Sequence, residues 1–581
     1  MVNSLSTKSA IKIQELAQTL TGSFAYDNFD MEFKSHVPTV EKSGETMKHA
    51  TSAIIFPLIQ TQPDDLRCSN ELWGTDPLNP ELSEGQKRPH RGLESLIPPP
   101  KEATPSRYIR IIAWHFRHAL LTFCEDFKDY QSKLEQPESV IQIPITTTKH
   151  VPCRAMDINQ STTDGQGDIL KNLCEQGKIG DSIDTPGAVD ISDYVQLVHG
   201  DLRTGELLEA SKQSRSIERN PVRRLQFVIF VMGLFHYLMA CGDAIWRMFL
   251  ESKTARKGPN SFWNQICKIR PHDSGKITQK YNFRMMHEVI HQCGWARMLD
   301  CWRVELQKQD PSCTSVEAYA ATKPSWDDIV AVSITLATNY LDKPNAEDME
   351  FRNSSITLAR LVQYIELAHA MKHGDIGRVE MTFLHWAYVF KSVRKHKYSA
   401  YLIKLMNDMK HVYPEQLKKA IRMNWLVNPT GRKDGFRGVD WVVELMNLYT
   451  KVTYSGASSN RTFQLVIKNS PLIQIFRSVH ENIEDNFHLL HRSVRHAPPN
   501  LKNTLTTLTS ELKKHQAHEI ALRIGVQYRE TEALTDHFRQ GMLVLQTEKT
   551  PRFGSIDEEG EGGEEDETPA DELDLDGIQD I

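Results

Sequence analysis

The sequence has 581 residues, 40% of them hydrophobic and 25% charged, which is typical of a soluble globular protein long enough for several domains of about 150 residues. The net charge is −6, but residues 554–581 contain 13 acidic and no basic residues. The rest of the chain, with 69 basic against 62 acidic residues, is mildly basic at about +7, which permits nucleic-acid binding without requiring it.

Cysteine usage and hydropathy indicate an intracellular protein, nuclear or cytoplasmic. Nine irregularly spaced cysteines, the lack of a Cys-x-x-Cys pair and the lack of an opening signal peptide predict reduced thiols. The longest apolar stretch, 225–240, is too short to span a bilayer, so no membrane partner is expected. It predicts a buried helix or a strand followed by a helix, in which His236 is interpreted as a satisfied core histidine. No motif for a small-molecule cofactor is evident.

The N-terminal region has an α/β pattern. The stretch GSFAYDNFDMEF (22–33) predicts a strand, and its alternation places Asp27 on the same face as the apolar side chains. A second short strand, 51–59, is expected to end near Pro57. The region 70–105 is rich in proline and predicts an insertion, after which Ser106 is expected to cap a helix.

Further strands are expected at 140–148, around 155–159 and at YVQLVHGD (194–201). The last of these stops on Gly200-Asp201, which is a turn by composition, although side chains at strand ends also form sites in open α/β sheets.

Beyond residue 206 the pattern is mainly helical. The sequence therefore predicts an α/β core at 1–205, a helical insertion at 206–430, a helical C-terminal part of the core at 431–550, and a disordered acidic tail at 551–581. The clearest helical stretches are 225–250, 282–306, 355–373, 376–394, 398–411, 439–453 and 502–524.

One local motif matches a zinc-peptidase pattern. His287-Glu288-x-x-His291 would place two imidazoles on one helix face, with the glutamate as general base. The next ligand position of the extended pattern is Arg297, which cannot bind zinc. An amphipathic helix with ordinary histidines is the favoured interpretation.

A dispersed set of carboxylates is the second candidate site. Asp27 on a strand, Asp201 at a strand end and Glu444 beside the apolar stripe of a late helix could together hold Mg²⁺, which prefers oxygen ligands. On spacing alone, the favoured interpretation is a strand Asp, a turn Asp and an exposed helical Glu, because carboxylates are abundant.

Two basic clusters are candidates for contact with nucleic-acid phosphates. They lie at 215–224 and 391–398, and short clusters of this kind are more often solvated helix ends. The residues concerned are Arg223, Arg224, Arg394, Lys395 and Lys397.

Several longer stretches carry a family resemblance. They include AYDNFDMEF, AMDINQSTTDG, VHGDLRTGE, GLFHYLMACGDAIWR, NWLVNPTGRKDGFRGVDWVVELMNLYTKV and NFHLLHRSVRHAPP. Together, over roughly residues 15–545, they resemble an uncharacterised family, a large domain of unknown function widespread in mushroom-forming (basidiomycete) fungi. That family brings no established activity with it.

The order of D-N-F, then G-D after an apolar strand, then G-L-F-H also resembles transposases with an RNase H-like core. This resemblance implies that Asp27, Asp201 and Glu444 are the three catalytic, metal-binding acids. The 174 residues between the first two acids are unusually many and imply an insertion. Three other acids compete for these roles, namely Asp30 and Asp157 for the first and Glu380 for the last.

The sequence thus predicts an α/β fold with a mixed RNase H-like sheet, a large helical insertion and a helical C-terminal part. The expected function is that of a transposon-derived protein that cleaves or joins DNA phosphodiester bonds with Mg²⁺. The alternatives are a catalytically inactive nucleic-acid-binding or scaffold protein and, less favoured, the zinc peptidase.

Overall fold

The computed structural model describes residues 2–33, 47–89, 91–97, 105–183, 185–279, 281–343, 345–454, 462–487, 499–520, 532–547 and 553. Within these ranges the chain is a mixed α/β protein, as the sequence predicts. Its strands are β1 (Gly22–Glu32), β2 (Met47–Pro57), β3 (Val151–Pro152), β4 (Ile179–Gly180), β5 (Val189–Asp190), β6 (Gln196–Gly200), β7 (Val228–Met232), β8 (Leu426–Val427) and β9 (Arg437–Gly438).

Helices make up most of the described structure. The first ten are α1 (Val2–Gln18), α2 (Ser69–Trp73), α3 (Arg107–Phe123), α4 (Thr163–Gly177), α5 (Leu202–Arg215), α6 (Leu234–Trp246), α7 (Phe262–Ile269), α8 (Ser274–Gln279), α9 (Phe283–Gln309) and α10 (Val316–Ala321). They are followed by α11 (Trp326–Asn339), α12 (Met349–His373), α13 (Ile376–Ser392), α14 (His396–Asn407), α15 (Glu415–Met423), α16 (Val439–Tyr454), α17 (Phe463–Asn469), α18 (Ile473–Asn486), α19 (Lys502–Lys514) and α20 (His537–Thr547).

The main sheet has five strands in the order β3-β2-β1-β6-β7. β1 and β2 form an antiparallel hairpin paired from Gly22 opposite Pro57 to Glu32 opposite Met47. β3 is antiparallel to β2, whereas β6 is parallel to β1 and β7 is parallel to β6. The two remaining pairs, β4-β5 and β8-β9, form separate two-stranded sheets.

The two parallel strands on one side of β1 are buried along their whole length. Such strands, covered by helices on both faces, are apolar throughout and do not alternate. For the apolar run at 225–240 this decides between a buried helix and a strand followed by a helix, because the run divides at Gly233 into β7 and then α6. The helical stretch predicted over 225–250 is therefore wrong for residues 228–232. The sheet therefore extends beyond residue 205, into the part of the chain that was predicted as a helical insertion.

Other local predictions have mixed outcomes. Ser106 caps α3 as expected, with its hydroxyl accepting from the Ile109 amide at 3.3 Å. The predicted strand at 140–148 is wrong, since this segment forms only an isolated bridge between Gln142 and Asp375. The nine cysteines are free. The predicted disordered tail lies outside the described residues, except for Phe553.

One large hydrophobic cluster joins the sheet to the helices that pack against it. It includes side chains from β1, β2, β6 and β7 together with α3, α9, α12 and α13. The helices that follow the sheet in sequence therefore pack around it in the same core. No helix in the described ranges is long and apolar enough to cross a bilayer.

Candidate metal centre

The topology brings two acidic side chains together at one edge of the main sheet. Ala25 on β1 is paired with His199 on β6 in parallel register. Two residues further along each strand direction are Asp27 and Asp201. Asp27 therefore lies just beyond the part of β1 that pairs with β6, and Asp201 follows the carboxyl end of β6. Ligand sites of open α/β sheets form at this edge.

Asp201 is a helix cap whose charge is close enough to raise the pKa of Asp27. It is the residue immediately before α5, and its Oδ1 accepts from the Thr204 amide at 2.6 Å. A carboxylate has a second oxygen, which the capping hydrogen bond does not use. The turn interpretation of Gly200-Asp201 and the ligand interpretation are therefore compatible.

Helix α16 brings two further acids to the same edge. Asp440, in its first turn, accepts from the backbone amides of Phe235 (3.1 Å) and His236 (2.8 Å), and so caps the first turn of α6. The approach is close: a Cβ on Gly233 would lie 2.3 Å from Asp440 Oδ2, so only glycine fits at this position. One turn later, Glu444 is 7% exposed, in agreement with its predicted place at the core edge.

His236 connects these elements. Its Nδ1 lies 2.9 Å from Asp440 Oδ2, and its Nε2 lies 3.6 Å from Glu444 Oε1. One potential ligand atom each from Asp27, His236 and Glu444 lies within 4.8 Å of the others. Among the described residues, this is the group of three ligand-type side chains that is close enough to hold a metal ion.

The electrostatics reflect this crowding of acids. Burial, together with the nearby charges of Glu444 and Asp201, raises the pKa of Asp27 well above its usual value. Burial likewise raises the pKa of Glu444 to about 7. The interaction between these two carboxyl groups raises the pKa of Asp27 and lowers that of Glu444, as in a carboxyl pair that shares a proton.

On the pKa of His236, burial and the neighbouring acids act in opposite directions. Burial alone would lower its pKa, but the hydrogen bond and charge of Asp440, with the charges of Asp27 and Asp201, raise it to about 9. At neutral pH His236 is therefore an imidazolium surrounded by acids. This cation, with a proton shared by the two carboxyl groups, reduces the repulsion that close carboxylates create. A bound divalent cation would do the same.

Two hydrogen bonds outside the group of acids hold α16 against the β1–β2 hairpin. Ser52, the cross-strand partner of Asp27, donates to Asn447 Oδ1. Asn447 Nδ2 in turn donates to the backbone carbonyl of Asn28 at 3.1 Å. Because Asn447 is three residues after Glu444 on the same helix, these bonds set the distance between Glu444 and Asp27.

The competing acids lie apart from this group. Asp30 contacts His49 at 2.8 Å, Asp157 is exposed, and Glu380 forms a two-bond ion pair with Arg422 at 2.7 and 2.9 Å. Asp30 and Glu380 therefore have local partners, and Asp157 faces solvent.

The histidines of the zinc-peptidase motif have other contacts. His287 Nδ1 lies 3.0 Å from the Tyr364 hydroxyl, and His291 Nδ1 donates to the His287 carbonyl at 2.8 Å. Glu288 forms ion pairs with Arg270 and Arg284. Within the described ranges, no third ligand completes a metal group with the two histidines, so the favoured amphipathic-helix interpretation agrees with the geometry.

The basic residues predicted to contact phosphate differ in their placement. Lys395 is 6% exposed and its Nζ lies 2.9 Å from Asp243, so it does not present its charge to solvent. Arg224 stacks over Trp73 at 4.7 Å and donates to Gln226 at 2.8 Å. The remaining three residues, Arg223, Arg394 and Lys397, are exposed. Of these, Lys397 contacts Glu206 at 3.0 Å.

Sequence reasoning missed two residues of the centre. His236 was interpreted as a satisfied core histidine, and Asp440 was not singled out. The position of the histidine three residues after Gly233, just beyond a buried strand, was the available signal. The partner of His236 lies 204 residues away along the chain, a contact that no local pattern reveals.

Comparison with known proteins identifies a family over residues 86–496, which is more than half of the chain. No curated protein and no solved structure matches the chain. The matched range contains Asp201, His236 and Glu444 and begins after Asp27. The predicted membership of an uncharacterised family is thereby confirmed: the chain belongs to the family of unknown function DUF6589.

Proposed function

We propose that the chain has an RNase H-like core and acts on DNA phosphodiester bonds, cleaving or transferring a strand with a divalent cation such as Mg²⁺. The observation that carries this proposal is the meeting of Asp27 and Glu444, which are widely separated in sequence, with His236 at one sheet edge. Asp201 is not part of this close group of three, but its charge is near enough to raise the pKa of Asp27. The sheet order β3-β2-β1-β6-β7, with one antiparallel hairpin followed by two parallel strands, supports the proposed fold.

The donor set suits a hard cation. Three carboxylates offer oxygen ligands, which Mg²⁺ and Mn²⁺ prefer, and His236 would offer a nitrogen that Mn²⁺ also accepts once its Nε2 proton is displaced. A bound cation would lower the pKa of an attacking water or 3′-hydroxyl and stabilise the leaving oxygen. Binding would displace the proton that Asp27 shares with Glu444, because both carboxyl groups must be ionised to act as ligands.

The other side chains of the centre position these ligands. Asp440 holds the imidazole of His236 by its Nδ1, which directs Nε2 towards Glu444. The capping bond from Thr204 fixes the rotation of the Asp201 carboxylate. The mildly basic body of the chain is consistent with a nucleic-acid substrate, and the transposon-derived origin rests on the sequence resemblance alone.

The test is a nuclease and strand-transfer assay on the purified chain with a labelled DNA duplex and Mg²⁺ or Mn²⁺. We expect nicked or joined products that EDTA abolishes and that Asp201→Ala reduces by at least about 100-fold. The matched control is Asp193→Ala, which removes an exposed aspartate paired with Arg67. Equal activity in Asp201→Ala and in the unsubstituted chain would refute the catalytic assignment.

The same experiment addresses the inactive alternative. If the chain binds Mn²⁺ and DNA but yields no product with either cation, it is a nucleic-acid-binding or scaffold protein that has kept the centre without the chemistry.

A further inference from the structure

The segment between β3 and α4 brings one more polar side chain to the metal centre. Its Met156 exchanges backbone hydrogen bonds with Thr51 on β2, at 2.9 and 2.8 Å, which fixes the segment beside the hairpin. Four residues later, Gln160 is 6% exposed, and its Nε2 lies 3.4 Å from Asp27 Oδ1.

Hydrogen bonds that begin at Tyr26 on β1 also hold the main chain of Gln160 in place. Gln166 Nε2 donates to the Gln160 carbonyl at 2.6 Å, and the Tyr26 hydroxyl donates to Gln166 Oε1 at 2.6 Å. Tyr26 immediately precedes Asp27. The amide of Gln160 is thus positioned relative to Asp27 by a chain of hydrogen bonds that begins on the same strand.

The oxygen of this amide is unsatisfied. Gln160 Oε1 is buried and has no hydrogen-bond partner among the described residues. A buried acceptor left without a partner costs about 1–3 kcal/mol, so such groups in native structures generally meet a ligand or a bound water. Here the unsatisfied oxygen belongs to an amide whose other atom contacts a carboxylate of the candidate centre.

We propose that the side-chain carbonyl of Gln160 is a further oxygen ligand of the divalent cation held by Asp27, Asp201 and Glu444. This inference rests on the proposed function, because it requires that the acids bind a cation. Amide carbonyls of Asn and Gln are ordinary ligands of hard cations alongside carboxylates. A neutral oxygen adds a ligand without adding a fourth negative charge to a crowded site.

A simpler role for Gln160 would be to orient Asp27 through its Nε2 hydrogen. The substitution Gln160→Glu distinguishes the two roles, because it keeps an oxygen at the end of the side chain and removes the N–H. An oxygen ligand survives this change, whereas a donor to Asp27 is lost and a carboxylate that repels Asp27 takes its place.

The experiment is a Mn²⁺ titration of the full chain at pH 7.5, followed by electron paramagnetic resonance of the free ion. Gln160→Met, of similar length and without an amide, is expected to weaken binding by about 10-fold or more. Gln160→Glu is expected to bind at least as tightly as the unsubstituted chain. The matched control is Gln176→Met on α4, whose amide contacts Arg154 and not the acids, and which should leave affinity unchanged.

Asp27→Asn in the same titration separates the two proposals. If Asp27→Asn weakens binding while Gln160→Met does not, the role of Gln160 is overturned and the metal centre stands. If Gln160→Glu binds Mn²⁺ more weakly than the unsubstituted chain, Gln160 is not an oxygen ligand. This comparison still decides the question if Gln160→Met does not fold. If the unsubstituted chain does not bind Mn²⁺, or Asp27→Asn binds equally well, the proposed function itself fails.

Discussion

At the scale of single residues, Asp201 has two tasks that can be separated by substitution. Asparagine caps helices about as well as aspartate, whereas alanine does not. We therefore expect Asp201→Asn to keep the stability of the chain, because the cap remains and only the charge is lost. Mn²⁺ binding should weaken by at least about 10-fold, which is roughly the effect of losing one ligand contact. Asp201→Ala should weaken binding as well and also lower the free energy of unfolding by about 1 kcal/mol.

Urea unfolding and Mn²⁺ titration of the two variants check this prediction, with Asp30→Asn as the control acid on the same hairpin. Equal Mn²⁺ affinity in Asp201→Asn and the unsubstituted chain would show that Asp201 is a cap only.

Residue-level patterns predicted part of the centre. Strand alternation placed Asp27 on the core face, and the apolar stripe of its helix placed Glu444 near the core edge. Neither pattern specified which acids would meet, because that depends on the register between β1 and β6. His236 was missed since its ion pair with Asp440 forms between helices that are far apart in sequence.

At the scale of secondary-structure elements, the docking of α16 on the hairpin decides where Glu444 lies. The bonds from Ser52 to Asn447 and from Asn447 to the Asn28 carbonyl form one network. Asn447→Leu should lower the free energy of unfolding by about 2–3 kcal/mol, because it leaves two buried polar groups without partners. Ser52→Ala should cost about 1 kcal/mol.

A double-mutant cycle measured by urea unfolding tests this network. The two substitutions should be non-additive by at least about 0.5 kcal/mol, because they remove the same hydrogen bond. Strict additivity would mean that the two side chains do not interact in solution.

Element-level prediction succeeded where a pattern was periodic or capped, as for β1 and for α3 after Ser106. It left β7 undecided between a helix and a strand, because a fully buried strand and the helix after it form one apolar run with no period to separate them. It failed at 140–148, where the backbone amides of Val140 and Ile141 donate to the carboxylate of Asp375 and not to a neighbouring strand.

At the scale of the whole molecule, burial affects the histidines beside the core, among them the partly buried His118 on α3. Burial, with smaller effects from His115, His373 and His291, lowers the pKa of His118 to about 4. Because its pKa is lower in the folded than in the unfolded chain, His118 destabilises the fold as the pH falls below about 6.5. Between pH 7 and pH 5 this effect amounts to about 2 kcal/mol.

The measurement is urea unfolding at pH 7 and pH 5 of the unsubstituted chain and of His118→Gln. The variant, which cannot take up this proton, should lose about 2 kcal/mol less than the unsubstituted chain over that interval. The exposed His272, substituted in the same way, is the control and should leave the pH dependence unchanged. Identical pH dependence in all three proteins would contradict the burial of a neutral His118.

Cation binding should stabilise the whole fold, since the ligands come from β1, α16 and the end of β6. A cation at 100 times its dissociation constant adds about 2.7 kcal/mol to the free energy of unfolding. We expect Mn²⁺ to raise the melting temperature of the unsubstituted chain, measured by scanning calorimetry, and to leave that of Asp27→Asn unchanged. An equal rise in both proteins would place the bound cation elsewhere.

The central claim is that acids from three distant parts of the chain hold one divalent cation. Anomalous diffraction from crystals grown with Mn²⁺ tests it most directly, because the manganese signal locates the ion without reference to the protein atoms. The account predicts a peak about 2.0–2.6 Å from carboxylate oxygens of Asp27, Asp201 and Glu444. Crystals saturated with Mn²⁺ that show no peak between these three side chains would contradict it.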